Sequence, residues 1–156
     1  MDKHEETITR IMLGMLQQKA EEIYSEKIIR YGIHPKNYGT ISKPDGYASE
    51  VNKCGENIEM FLRISNDRIE DAVFTTDGCL FTVAAASACA EMAKGKRIRE
   101  CLKINQSSIM AFLESMPEDH GHCAFHAALT LHRALRNYAI CSRGLPRKAE
   151  AGKMRK

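Results

Sequence analysis

Near the N-terminus apolar residues recur at three- and four-residue steps: Ile8, Ile11, Met12, Met15, Leu16, Ala20, Ile23 and Ile28. That period predicts a helix from about Glu5 to Arg30, interrupted near Ser25 and stopped by Gly32 and Pro35. Methionine fills irregular gaps easily, so the Met-rich stripe is expected to face the core. From His34 to Tyr47 the Pro, Asn, Gly and Lys content predicts a loop leading into a strand at Ala48 to Lys53. The period then drops to two, with Ile58, Met60, Leu62 and Ile64 on one face and Glu59, Phe61, Arg63 and Ser65 on the other. Asn66 and Asp67 suit a tight turn, and Ile69 to Thr76 is the return strand of an antiparallel hairpin.

Beyond Gly78 and Cys79 the pattern becomes a small-residue helix, Phe81 to Ala93, closed by Lys94 and Gly95. Two shorter helices follow at Ile98 to Lys103 and Ser108 to Ser115, the second with Ser107 as its cap, and Pro117 ends the segment. A last helix starts near His122 and runs through Ala127, Ala128, Leu131, Leu135 and Tyr138 to about Cys141. Strands come early and helices late, which predicts an α+β fold with a small antiparallel sheet of about three strands and helices packed against it.

A chain of 156 residues is the size of one ordinary domain, expected here over 1–142, with residues 1–22 as an added N-terminal helix. The segment 143–156 holds six Lys/Arg and one Glu, so the formal charge of +3 leaves the rest of the chain at −2. A basic, solvated tail on an otherwise acidic domain does not support nucleic-acid binding. No run reaches the roughly 18 apolar residues of a membrane span. The first residues, Asp2, Lys3, His4, Glu5 and Glu6, do not read as a signal peptide, so the chain is expected in the cytoplasm. In that reducing compartment the six cysteines are buried thiols, metal ligands or reactive groups rather than a disulfide framework.

Position sorts them. Cys89 and Cys101 lie within helices and Cys141 at a helix end, as small hydrophobes do. Cys54 precedes Gly55 in a loop between strands, Cys79 follows Gly78 where the hairpin leads into a helix, and Cys123 follows His122 at a helix start. All three sit at element ends, where sulfur is expected to be reachable from solvent and a helix N-terminus favours thiolate. If the fold gathers these thiols, the chain holds iron or zinc.

Several segments appear in an order that resembles one family. Tyr24-Ser25-Glu26-Lys27, His34-Pro35-Lys36-Asn37-Tyr38-Gly39, Cys54-Gly55-Glu56, Ile69-Glu70-Asp71-Ala72 through Asp77-Gly78-Cys79, Lys94-Gly95-Lys96 and His122-Cys123 are similar to the IscU/NifU scaffold proteins of iron–sulfur cluster assembly. The resemblance runs from about Tyr24 to Tyr138. It implies a non-enzymatic scaffold that builds a transient 2Fe–2S cluster from iron and from sulfur supplied by a cysteine desulfurase, then passes it to apo iron–sulfur acceptor proteins. By the same resemblance Cys54, Cys79 and Cys123 are the ligands, framed by Gly55, Gly78 and His122. Glu56 or His122 would supply a fourth, weaker donor, and zinc would also accept such a set.

The chain departs from the family in four places. Glu56 replaces the usual aspartate after Cys-Gly. Ser115-Met116-Pro117-Glu118-Asp119-His120 stands where the family has Leu-Pro-Pro-x-Lys, the docking segment of a dedicated chaperone, so chaperone-driven transfer is in doubt and His120 takes the place of the lysine beside the cluster. His126 takes an apolar place; it is either a hydrogen-bonded residue or a zinc ligand with His122 and Cys123. The helix over residues 1–20 precedes the match and would serve oligomer contacts or shield the sheet. Two other functions stay open: a zinc-bound sulfur-transfer partner of a desulfurase, disfavoured because no insertion separates Cys79 from Cys123, and a divergent metal-binding interaction protein.

Overall fold

The structure is a computed structural model that describes residues 2–114 and 116–142. The basic tail foreseen at 143–156 lies outside the described residues. The predicted N-terminal helix is two helices, α1 (Lys3–Ile23) and α2 (Glu26–Ile33). Ser25 causes the break, because its hydroxyl accepts from Ile28 N–H at 3.2 Å as the N-cap of α2 and donates to Leu113 C=O at 2.6 Å. A serine so engaged offers the backbone a partner other than the helix ladder. Gly32 is not the stop: it lies inside α2, where an added Cβ would run into the Leu80 side chain.

The Met-rich stripe does not face the core. Ile8, Ile11, Met12, Leu13, Met15 and Leu16 are 55–65 % exposed, since α1 projects from the body and meets mainly α2. The side chains of Ala20 and Ile23 lie outside the described set.

Strands β1 (Gly46–Val51), β2 (Asn57–Ser65) and β3 (Arg68–Thr76) form an antiparallel sheet in that order. β1 starts two residues before the predicted Ala48, because Gly46 and Tyr47 pair with Leu62 and Phe61. Asn66 (φ 52°) and Asp67 (φ 63°) form the foreseen turn, both in the left-handed region that a tight hairpin requires. The period-two face of β2 is fully covered: Ile58, Met60 and Leu62 are at 0 % exposure and Ile64 at 8 %.

That face packs on α3 (Leu80–Ala93) and α6 (Gly121–Ser142). The whole run Ala84–Ala90 is buried, as expected of a helix that is apolar all round, and its small side chains let β3, α2, α5 and α6 approach α3 from several sides. Between them run α4 (Ile98–Cys101) and α5 (Gln106–Leu113). The cap of α5 is Asn105 rather than Ser107: Asn105 Oδ1 accepts from Ser108 N–H at 2.9 Å while Ser108 Oγ accepts from Asn105 N–H at 2.8 Å. This reciprocal pair satisfies two otherwise orphaned donors. The architecture is α+β, one three-stranded sheet with helices on one face. Among the described residues no helix is long and apolar enough to cross a membrane.

Candidate metal centre

The β1–β2 connection, the start of α3 and the start of α6 meet at one end of the sheet. Asn52 shapes the first of these. Its Oδ1 accepts from the N–H groups of Cys54 (2.9 Å) and Glu56 (3.0 Å), an Asx-type turn that Gly55, at φ 84°, allows to close. Cys54 stands exposed at its tip.

Gly78 serves a different need. An added Cβ there would lie 2.6–2.9 Å from the side-chain atoms of Thr82, so only glycine lets the chain pass this close to the first turn of α3. Cys79 is the N-cap of that helix and is exposed. Thr82, fully buried in the same turn, is the hub: its Oγ1 donates to Glu56 Oε2 at 2.7 Å, and lies 3.6 Å from Cys79 Sγ and 3.4 Å from Cys123 Sγ. The Thr82 hydroxyl, the Cys79 backbone N–H and the Asn52 amide all favour the ionised Glu56 and hold its carboxyl below the usual range. Glu56 thus supplies negative charge at the positive end of α3.

Cys123 is not reachable from solvent, contrary to expectation for a helix start. It is the third residue of α6 and has 0 % exposure, because that turn faces α3 rather than water. Burial pushes its thiol up to about 11, the Thr82 hydrogen bond opposing and the neighbouring Cys79 and Glu56 adding to the rise. Cys89 and Cys101 are buried with raised pKa for the same reason of desolvation, while Cys141 is half-buried.

Two histidines flank Cys123 differently. His120 ends the short 3-10 turn Glu118–His120, and its ring stacks on Phe81 with centroids 4.0 Å apart. Among the described residues, Cys79, His120 and Cys123 form the group whose ligand atoms all lie within 4.8 Å of one another. His120 Nδ1 is buried without a hydrogen-bond partner. His122 is exposed, with Nε2 3.7 Å from Cys123 Sγ. It lines a cavity of about 470 Å³ together with Asn52, Lys53, Cys54, Phe125 and His126. Cys54 therefore lies on the His122 side of α6 and is not a member of the close group.

His126 does not join a zinc site. Its Nε2 is 2.7 Å from the Glu50 carbonyl, which only accepts, so the proton is on Nε2 and Nδ1 is left to accept from Asn52 Nδ2 at 3.4 Å. His126 thereby ties α6 to the end of β1 and holds the amide that shapes the Cys54 turn. Asn52 and Thr82 were not singled out in the sequence. An Asn two residues before Cys54, with glycine next, was the available sign of the Asx turn; Thr82 carries no such sign.

The donor set, soft sulfurs with imidazole and carboxylate, suits iron or zinc. Residues 23–143 match the model of the family described as the NifU-like N terminal domain. The chain is 37 % identical over 117 residues to the iron-sulfur cluster assembly scaffold protein IscU 1 of Archaeoglobus fulgidus, covering 74 % of this chain and 76 % of that one. It is 36 % identical over 119 residues to the iron-sulfur cluster assembly protein IscU of Plasmodium falciparum, covering 74 % and 73 %. Its fold matches the crystal structure of a nitrogen-fixing NifU-like protein (N-terminal) from Brucella abortus at TM-score 0.64 and 16 % identity, covering 77 % of this chain and 96 % of that one. By sequence match and by fold, the chain belongs to the NifU-like N-terminal domain family.

Proposed function

We propose that this protein is a scaffold for iron–sulfur cluster assembly, with the cluster as its cargo. The observation that carries this is the convergence of Cys79 and Cys123 on Thr82 and Glu56, with the Cys54 turn beside them. Cysteine thiolates are the usual ligands of such clusters, and lability rises with exposure and with fewer strong ligands. Three thiolates leave a 2Fe–2S cluster one ligand short, and Glu56, the place of the weaker oxygen donor, suits a cargo that must leave. Domain 1–142 is taken as one scaffold unit and α1 as an addition.

On this reading sulfur comes from a cysteine desulfurase and the cluster passes to apo acceptor proteins. Met116-Pro117 in place of a Leu-Pro-Pro-x-Lys segment makes a dedicated chaperone doubtful, and the apolar face of α1 makes a homo-oligomer plausible. The thiols must stay reduced, which suits the cytosol. Zinc as resident ion in a sulfur-transfer partner is the second reading, supported by the sulfur and imidazole set of Cys79, His120 and Cys123.

Anaerobic reconstitution with iron, cysteine and a desulfurase is expected to give the visible absorption of a cluster in the wild type and none in Cys79→Ala. Cys89→Ala, a change in a buried thiol away from the site, should keep it. Equal absorption in wild type and Cys79→Ala would sink the scaffold reading. Stoichiometric zinc retained through purification without air, with stimulation of the desulfurase and no cluster, would favour the second.

A further inference from the structure

We propose that Thr82 is a positioning residue for the cargo: its hydroxyl ties the Glu56 carboxylate of the exposed Cys54 turn to the fixed start of α3, and so sets how long the cargo stays. The inference rests on the scaffold reading of this end of the molecule. It adds a residue that is no ligand itself and acts through one.

Thr82 has 0 % exposure, and its single hydroxyl proton can serve one acceptor at a time. Glu56 Oε2 is the nearer, at 2.7 Å against 3.4 Å for Cys123 Sγ, and a carboxylate is the stronger acceptor, so the proton goes there. The side chain cannot swing away. A β-branched residue is stiff at χ1, and the Gly78 backbone passes so close that an added Cβ would lie 2.6 Å from Thr82 Cγ2 and 2.9 Å from its Oγ1. Glycine at 78 and threonine at 82 thus act as one device, the first leaving just the room in which the second is aimed.

Glu56 needs this support. Its arm is one methylene longer than that of the aspartate usual at this place in the family, and it leaves from a turn held by the Asn52 amide rather than by core packing. A loose arm would lose its torsional freedom only when the cargo arrived, and binding would be weaker for it. Thr82 removes that freedom beforehand through one carboxylate oxygen, and the other oxygen can still meet the cargo. The longer arm at 56 and the hydroxyl at 82, 26 residues apart in the chain, are a matched pair.

The test is cluster lifetime on the full chain. Protein reconstituted without oxygen is mixed with an excess of an iron chelator, and the loss of visible absorption is followed. Thr82→Val keeps the shape and removes the hydroxyl; it is expected to lose its cluster about 10- to 100-fold faster than wild type, as when a ligand loses its outer support. Thr82→Ser keeps the hydroxyl and should stay within about threefold of wild type. In a Glu56→Ala background the further change Thr82→Val should alter the rate by less than about threefold, because the tie then has nothing to hold. A purely structural Thr82 would act equally in both backgrounds. Glu56→Asp, one methylene too short to keep the tie, should behave as Thr82→Val does and carries the test if that variant fails to fold.

An unchanged lifetime in Thr82→Val overturns the proposal, as does an equal acceleration with and without Glu56. A longer lifetime overturns it too, since Thr82 would then compete with the cargo for Glu56. Hydrogen exchange on the metal-free protein separates the proposal from the scaffold reading. The Cys54 and Glu56 amides should exchange at least about tenfold faster in Thr82→Val and as in wild type in Thr82→Ser. A wild type that builds no cluster sinks the scaffold reading, while that exchange pattern still supports the tie. A wild type that builds a cluster whose lifetime ignores Thr82 removes the tie alone.

Discussion

Cys123 has no exposed surface and stands on a helix packed against α3 and β1, whereas Cys54 stands in solvent on a turn shaped by a single side chain, Asn52. The two thiols belong to one proposed site but meet different physical demands. The Cys79–His120–Cys123 half is ordered before anything binds, so little conformational entropy remains to be lost when an ion arrives. The Cys54 half is held by a few polar contacts and can move without disturbing the core. A carrier needs both, one side to select and seat the cargo and one side to open for its release.

The largest blow to this contrast comes from the core that fixes the buried half. Leu131 is fully buried on α6, and Leu131→Ala is expected to cost about 2–5 kcal/mol from lost burial and the cavity left behind. Urea unfolding should show that loss, with alkylation of the buried Cys123 speeding up alongside it. If Cys123 stayed as protected as in the wild type under conditions where the core is loosened, the buried half would not owe its order to packing.

Thiol accessibility measures the contrast directly. Cys54 and Cys79 are exposed, whereas Cys89, Cys101 and Cys123 are buried and need local opening before reaction. Alkylation followed by peptide mass spectrometry should label the first two at least about 100-fold faster than the last three, a gap equivalent to roughly 3 kcal/mol of opening. Labelling of Cys123 as fast as Cys54 would erase the distinction between the halves.

Alkaline pH sharpens it more gently. The Cys123 thiol is raised from 9.0 to about 11 in the folded protein, chiefly by burial, so the folded state holds its proton more tightly than the unfolded one. Its stabilising contribution is complete below pH 9 and is lost as pH rises through about 11. Wild type should therefore lose more stability than Cys123→Ser between these limits in urea titrations. Cys101, also raised to about 11 by burial, contributes in the same direction to both proteins and cancels in the comparison.

Much of this was readable from the residues themselves. The period-two pattern of β2, the turn at Asn66-Asp67 and the small-residue helix α3 each carry a local signal that tertiary packing reinforces. The N-terminal stripe misled because periodicity says that a helix has an apolar side and not what that side meets; here Met12 and Met15 meet solvent. The places of Cys54, Cys79 and Cys123 at element ends singled them out, and the fold brings Cys79 and Cys123 together on Thr82. That Cys54 would stand apart, and that His120 rather than His122 would close on Cys79 and Cys123, depends on the direction in which the first turn of α6 faces, and no local pattern encodes that. Thr82 and Asn52 were missed because their role is to hold other side chains, which shows only once three distant segments meet.

The smallest expected effect lies in the exposed half, and it is the one that separates tethering from packing. Asn52→Ala removes the acceptor for two backbone N–H groups, Cys54 and Glu56, and frees Nδ1 of His126. Both amides are near the surface, so water replaces the lost carbonyl and the cost to global stability is about 1 kcal/mol or less. Local order pays more: hydrogen exchange at the Cys54 and Glu56 amides should speed up by at least about tenfold, while the amides of α3 and α6 stay protected. His126→Leu should produce a weaker version of the same pattern, because it leaves Asn52 in place and removes the contact that orients its amide together with the tie to the Glu50 carbonyl. Acceleration that spread into α3 would mean that the turn is part of the core's cooperative unit, and the division between a seated and a movable half would fail.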